Sequence, residues 1–157
     1  MSTMSKTDAN ISENKNNILI TLLASICSLG PLATDMYLPA LPQMTLDFAT
    51  TPSIIQLTLT SWLIGLAIGQ VIAGPLSDIY GRTRPLVFGL IIFTISSVAC
   101  IFAPSIELFI FARFIGGFAA SSALVVSRAI ASDIYKGTML TKFLATVMII
   151  QGLAPII

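Results

Sequence analysis

The sequence predicts an all-α membrane protein with about four full transmembrane helices and a truncated fifth. Three observations carry that prediction. The 157 residues are 55% hydrophobic and 10% charged, with mean hydropathy +0.94, whereas an average soluble domain is about 25% charged. The apolar residues fall into runs long enough to cross a bilayer, at about 20 residues per helix. Between those runs, Lys and Arg are alternately present and absent.

Taken in order, residues 1–17 are polar, rich in Ser, Asn and Lys, and without periodicity, and read as a disordered cytoplasmic tail. The first span covers about 18–38. It is longer than the apolar part of a cleaved leader, and further spans follow it. The second span covers about 54–76, a shorter third 86–102 and a long fourth 106–131. A fifth begins near Phe143 and continues to residue 157 without a cap or stop signal, so the chain reads as cut off inside a longer protein.

Orientation follows from the cations. Lys6 and Lys15 precede the first span, and the next connection has no Lys or Arg. Arg82 and Arg84 follow the second span, the turn at Pro104 has neither, and Lys136 and Lys142 follow the fourth. The expected N-terminus is therefore cytoplasmic. Small residues recur every fourth position on the second span (Gly65, Gly69, Ala73, Ser77) and on the fourth (Ala119, Ala123, Ser127, Ala131). Such stripes let helix backbones approach closely in lipid.

Composition excludes several functions. Eight basic and seven acidic residues leave a net charge of +1 and no basic patch for a nucleic acid. Histidine is absent, and Cys27 and Cys100 lie in apolar runs without metal-ligand spacing. Both read as small packing residues, and no metal or cofactor is expected. No nucleophile–base pair is apparent, so an enzyme is not expected.

The informative residues are two charges inside apolar runs, Asp35 and Arg113. Each costs roughly 2.5–3.5 kcal/mol to insert and so calls for a partner or a watered cavity. On antiparallel spans both belong to the outer half of the membrane. Asp35 lies about 6 Å and Arg113 about 12 Å deep at 1.5 Å per residue, within side-chain reach of one another. Desolvation holds a proton on a carboxyl and a neighbouring cation drives it off. The pair is thus suited to proton coupling, or else to a static ion pair in a small helix-packing or regulatory membrane subunit. Pro31 and Pro39 are expected to bend the first span around its acid by removing helix hydrogen bonds. Met36, Tyr37, Trp62 and Phe118 are candidates to line a cavity, or to face lipid or pack.

A second cluster occupies residues 74–84 (GPLSDIYGRTR). Asp78 sits at a helix C-terminus, where the macrodipole disfavours an anion, and Arg82 or a neighbouring helix is expected to compensate. Gly81 suits a sharp reversal and Gly74 a close helix crossing. Asp133, at the inner end of the fourth span, is a further partner for Arg82.

This cluster resembles the signature loop of the major facilitator superfamily, G-x-x-x-D-(R/K)-x-G-(R/K)-(R/K). Gly74, Asp78, Gly81 and Arg82 match, whereas Ile79 and Thr83 depart from it at basic positions. Residues 113–117 (RFIGG) resemble the fourth-span pattern R-x-x-Q-G, with Gly116 in place of the amide. Residues 32–42 (LATDMYLPALP) and 127–133 (SRAIASD) are similar to the Bcr/CflA branch of drug:proton antiporters.

The resemblance implies a twelve-helix transporter of the bacterial cytoplasmic membrane, made of two six-helix halves. This chain would supply four helices and part of a fifth, and would be inactive without the C-terminal half. Its implied partners are the lipid bilayer, a drug-like small molecule and protons, with the proton gradient as driving force and no cofactor. Asp35, Arg113 and Tyr37 would form the proton-coupling and substrate cavity. Gly74, Asp78, Gly81, Arg82 and Asp133 would form a conformational latch.

Overall fold

The computed structural model describes the backbone of residues 3–153 and the side chains of residues 16–152. The chain is all-helical over these residues: α1 (Thr3–Asp35), a 3-10 turn (Leu38–Ala40), α2 (Leu41–Asp47), α3 (Pro52–Tyr80), α4 (Thr83–Ile101), α5 (Ile106–Ile134) and α6 (Thr138–Leu153). Among the described residues four segments are long and apolar enough to cross a membrane, Asn16–Asp47, Pro52–Tyr80, Thr83–Ile101 and Ile106–Ile134. The chain is therefore a multi-pass membrane protein.

Several boundaries differ from the sequence reading. Helix α1 begins at Thr3, so most of the segment expected to be a disordered tail is the first part of a helix. No Gly or Pro interrupts residues 3–29, and a helix nucleated by an apolar span extends at little cost through such a stretch. At its other end α1 stops at Asp35 rather than at residue 38. Pro39 lies in the following 3-10 turn, at its first helical positions, where a missing N–H costs nothing. It therefore lies beyond the end of α1 instead of bending its interior. Pro31 does lie inside α1, which continues past it. Helix α6 starts at Thr138, five residues before the expected Phe143, directly after Gly137 at φ +59°.

Helix α5 is the centre of the bundle. It packs against α3 most extensively, then α4 and α1, while α6 packs on α1. Its contact surface is the predicted stripe of small residues. Ala112, Gly116, Ala119, Ala120, Ala123, Ser127 and Ala131 are all buried, as are Gly65, Gly69, Ala73 and Ser77 on α3. A Cβ added at Gly65 would collide with the Phe114 carbonyl, one at Gly117 with the Trp62 carbonyl, and one at Gly69 with Ser121 and the Phe118 carbonyl, 2.6 Å away. The helices thus approach backbone to backbone, which only the absence of side chains permits. The Ser61 hydroxyl donates to the Ile110 carbonyl across the same seam (2.8 Å).

A second cluster joins α1 to α5 and α6 through Ile20, Leu23, Ala24, Cys27, Ala131, Tyr135, Phe143 and Val147. Large apolar side chains such as Ile68, Val71, Phe88, Ile91, Ile95 and Phe111 point outward, as a lipid-facing surface requires.

The seam yields the first prediction. Gly65→Ala should destabilise the chain by about 1–3 kcal/mol, because the obstacle is a backbone carbonyl that cannot rotate away. Gly74→Ala, with open space around its Cβ, should be neutral or stabilising by up to about 1 kcal/mol through helix propensity. Reversible unfolding in mixed micelles, followed by circular dichroism, separates the two.

Candidate functional site

The N-terminal half of α5 presents Arg113 to the interior. Its neighbours are brought by three other segments: Trp62 on α3, Ser96, Ser97 and Cys100 on α4, and Tyr37 in the turn after α1. With Phe109, Ala112 and Gly116 they line a half-open cavity of about 200 Å³. Arg113 is only 9% exposed. Its guanidinium carbon lies 4.2 Å from the centre of the Tyr37 ring and 4.4 Å from that of the Trp62 ring. Tyr37 is held in turn by a hydrogen bond between its hydroxyl and that of Thr58 and by stacking on Phe109 at 6.3 Å. Trp62 packs edge-on against Phe93 at 6.1 Å.

Two ring contacts to a desolvated cation contribute about 2 kcal/mol each. That is comparable to the roughly 2.5–3.5 kcal/mol of inserting an arginine at the centre of a membrane helix. The rings therefore account for the burial of the charge. They leave its hydrogen-bonding capacity unused: Nε and Nη2 of Arg113, and Nε1 of Trp62, are buried without a partner.

The expected ion pair is not formed. Among the described residues the salt bridges are those of Arg82 with Asp78 and with Asp133. Asp35 is half-buried, is absent from the cavity wall and makes no ion pair with Arg113. The depth estimate ignored direction. Helix α1 ends at Asp35, and it is Tyr37, after the helix, that turns inward. A static Asp35–Arg113 pair therefore does not hold these helices together. Tyr37 and Arg113 line the same cavity. Met36 is exposed, and Phe118 lines a separate apolar pocket between α3, α4 and α5.

Trp62 is the residue whose importance the sequence reading underrated. A signal for it was present in Gly116, where the related pattern has an amide. A Cβ at Gly116 would lie 3.0 Å from the Trp62 ring and 2.8 Å from the Ser96 hydroxyl. The indole occupies the room that a longer side chain at 116 would need.

At the other end of the bundle the structure assembles the second cluster. Arg82, which precedes α4, joins the ends of α3 and α5: Nη1 contacts Asp78 at 2.6 Å and donates to the Ser77 hydroxyl at 2.7 Å, and Nε donates to Asp133 at 3.0 Å. Gly81 occupies φ +82°, ψ +158°, a region open essentially to glycine alone. Among the described residues nothing lies within 4 Å of the would-be Cβ of Gly74. The same end carries Lys142, which donates to the Asn17 side chain at 2.8 Å, and Tyr135, whose hydroxyl donates to the Asn16 carbonyl at 3.3 Å. The cation-bearing connections thus gather on one side of the bundle, and the Arg113 cavity lies toward the opposite side.

The family model of the Major Facilitator Superfamily matches residues 22–157. An uncharacterised MFS-type transporter, YdgK of Bacillus subtilis (strain 168), is 45% identical over 88% of this chain and 35% of its own length. A bicyclomycin resistance protein homolog of Haemophilus influenzae is 31% identical over 89% of the chain and 35% of its own length. A chloramphenicol resistance protein of Pseudomonas aeruginosa is 40% identical over 75% and 28% respectively. The chain thus spans about a third of the length of the curated relatives it matches.

The geometry around Arg82 ranks the contributions to stability. The side chains of Asp78 and Asp133 are more than half exposed, so each pair contributes at most about 1 kcal/mol. The Gly81 conformation costs any other residue about 1–3 kcal/mol. Arg82→Ala, which removes both pairs, should lower the unfolding free energy by up to about 2 kcal/mol and Gly81→Ala by about 1–3 kcal/mol; in reversible unfolding, added salt should shrink the first effect and leave the second unchanged.

Proposed function

The chain belongs to the Major Facilitator Superfamily, and from that premise we propose that its helices are the opening part of a proton-coupled efflux transporter for drug-like small molecules. The observation that carries this reading is a buried arginine at the wall of a membrane-embedded cavity, in a chain related over three-quarters or more of its length to proteins named for drug resistance. Binding sites of this class of fold lie near the bilayer midplane between repeated halves. The bilayer is taken as the bacterial cytoplasmic membrane, with the end carrying Arg82, Lys136 and Lys142 on the cytoplasmic side.

Under this reading Asp35 is the protonatable acid and Arg113 its intermittent counter-charge. In the present conformation Arg113 rests between two rings and Asp35 is unpaired by it. The proposed cycle includes a second conformation in which the guanidinium lies beside Asp35. The Asp78–Arg82–Asp133 contacts join helix ends that would separate or tighten as the halves rock. They are weak enough individually to break in each cycle. The transport activity is that of a protein in which these helices face a second set.

A chimera tests this proposal. Residues 1–157 replace the matching stretch of the Pseudomonas aeruginosa chloramphenicol resistance protein, and accumulation of labelled chloramphenicol is measured in cells. Membrane-inserted chimera should lower accumulation, and collapsing the proton gradient should abolish the effect. Asp35→Asn should remove the dependence of efflux on external pH. A well-inserted chimera that leaves accumulation unchanged would overturn the efflux reading, and an unaltered pH profile in Asp35→Asn would remove Asp35 from the coupling step.

A further inference from the structure

The Arg113 cavity has an excess of donors. Nε and Nη2 of Arg113 and Nε1 of Trp62 are buried and unpartnered, and Arg113 is 9% exposed. The hydroxyls in the wall have their own partners: Ser96 and Ser97 donate to the Phe93 carbonyl at 2.9 and 2.8 Å, and Tyr37 is bonded to Thr58. No carboxylate lies among the residues that line the cavity. The wall hydroxyls can still accept through neutral oxygen lone pairs, but among the described residues the site has no negative acceptor. Charge-assisted bonds to a guanidinium are the strong ones, and its fork of N–H groups matches the two oxygens of a carboxylate.

We propose that this cavity binds the carboxylate of a small aromatic acid, with Arg113 as counter-charge and the Trp62 and Tyr37 rings against its apolar body. An apolar cavity of about 150 Å³ in another protein holds benzene, so about 200 Å³ admits a benzoate-sized molecule. Recognition sites of this kind are mostly apolar with a few fixed polar groups, which is the composition here. That the bound acid is also cargo rests on the efflux reading above. Binding itself does not.

Trp62 is the single tryptophan of the chain, and its ring centre lies 4.4 Å from the Arg113 guanidinium. Its fluorescence therefore reports occupancy of this site. The 157-residue chain, purified in a non-ionic maltoside detergent, is titrated with benzoate and separately with benzamide, at constant ionic strength set by sodium chloride. Benzoate should change Trp62 emission saturably, with benzamide at least tenfold weaker. Arg113→Gln should abolish the benzoate response, and Arg113→Lys should weaken it while retaining preference for the anion. No saturable response, an equal response to benzamide, or a response retained in folded Arg113→Gln would each overturn the proposal. The benzoate–benzamide comparison uses the unmodified chain and so decides the matter even where a variant does not fold. A chimera that exports chloramphenicol beside a chain that ignores benzoate would sink the anion site and leave efflux standing. The converse pair of results would do the opposite.

Discussion

The closeness of α3 to α5 sets the rest of the structure. Gly65, Gly69 and Gly117 allow the two backbones to touch, and that contact fixes where Trp62 lies. Gly117 meets the Trp62 carbonyl, so the indole is carried on a backbone already seated against α5, over the guanidinium four residues away on that helix. In lipid there is no hydrophobic force between helices to favour one pairing over another. Packing of small residues therefore carries the specificity that a buried core would carry in water. The charged site depends in part on the seam, since Arg113 meets the Trp62 ring only because α3 comes this near.

The two ends of the bundle handle charge differently. At the end gathering the cationic connections, Arg82 is paired with carboxylates that remain largely in contact with solvent. At the other, Arg113 is wrapped in aromatic surface and has no anion beside it. The first arrangement is easily broken and remade. The second retains unspent hydrogen-bonding capacity inside the protein, which is the condition under which a ligand gains most by arriving.

Much of this was legible in the residues. The number of spans, the gathering of Arg82, Lys142 and the start of α1 at one end, and the small-residue stripes all follow from composition and spacing. These features repeat along a helix, and periodicity is what a sequence displays. The contacts of single side chains do not repeat. Asp35 and Arg113 were matched in depth, but a pairing also needs the right direction around two helix axes and a helix that continues past the acid. Helix α1 stops at Asp35, and Tyr37 takes the place expected of the carboxylate. Gly74 shows the opposite case: a small residue suits a close crossing, yet among the described residues nothing lies within 4 Å of its would-be Cβ. Gly116 departs from a sequence pattern, and only the fold shows the indole and the Ser96 hydroxyl that would have to shift to admit a side chain there.

The first and last helices are stitched together by bonds between residues far apart in the chain, such as Lys142 with Asn17, 125 positions away. At roughly 5–20 residues per second of ribosomal synthesis, α1 spends many seconds in the bilayer before α6 exists to meet it. Its polar side chains are fitted for that wait. Thr21, Ser25, Ser28 and Thr34 each donate to the carbonyl four residues back in their own helix, so none depends on a neighbour that has yet to be made. A newly inserted α1 can stand alone in hydrocarbon with its hydroxyls already satisfied, and assembly then proceeds without having to strip those groups from lipid headgroups or water.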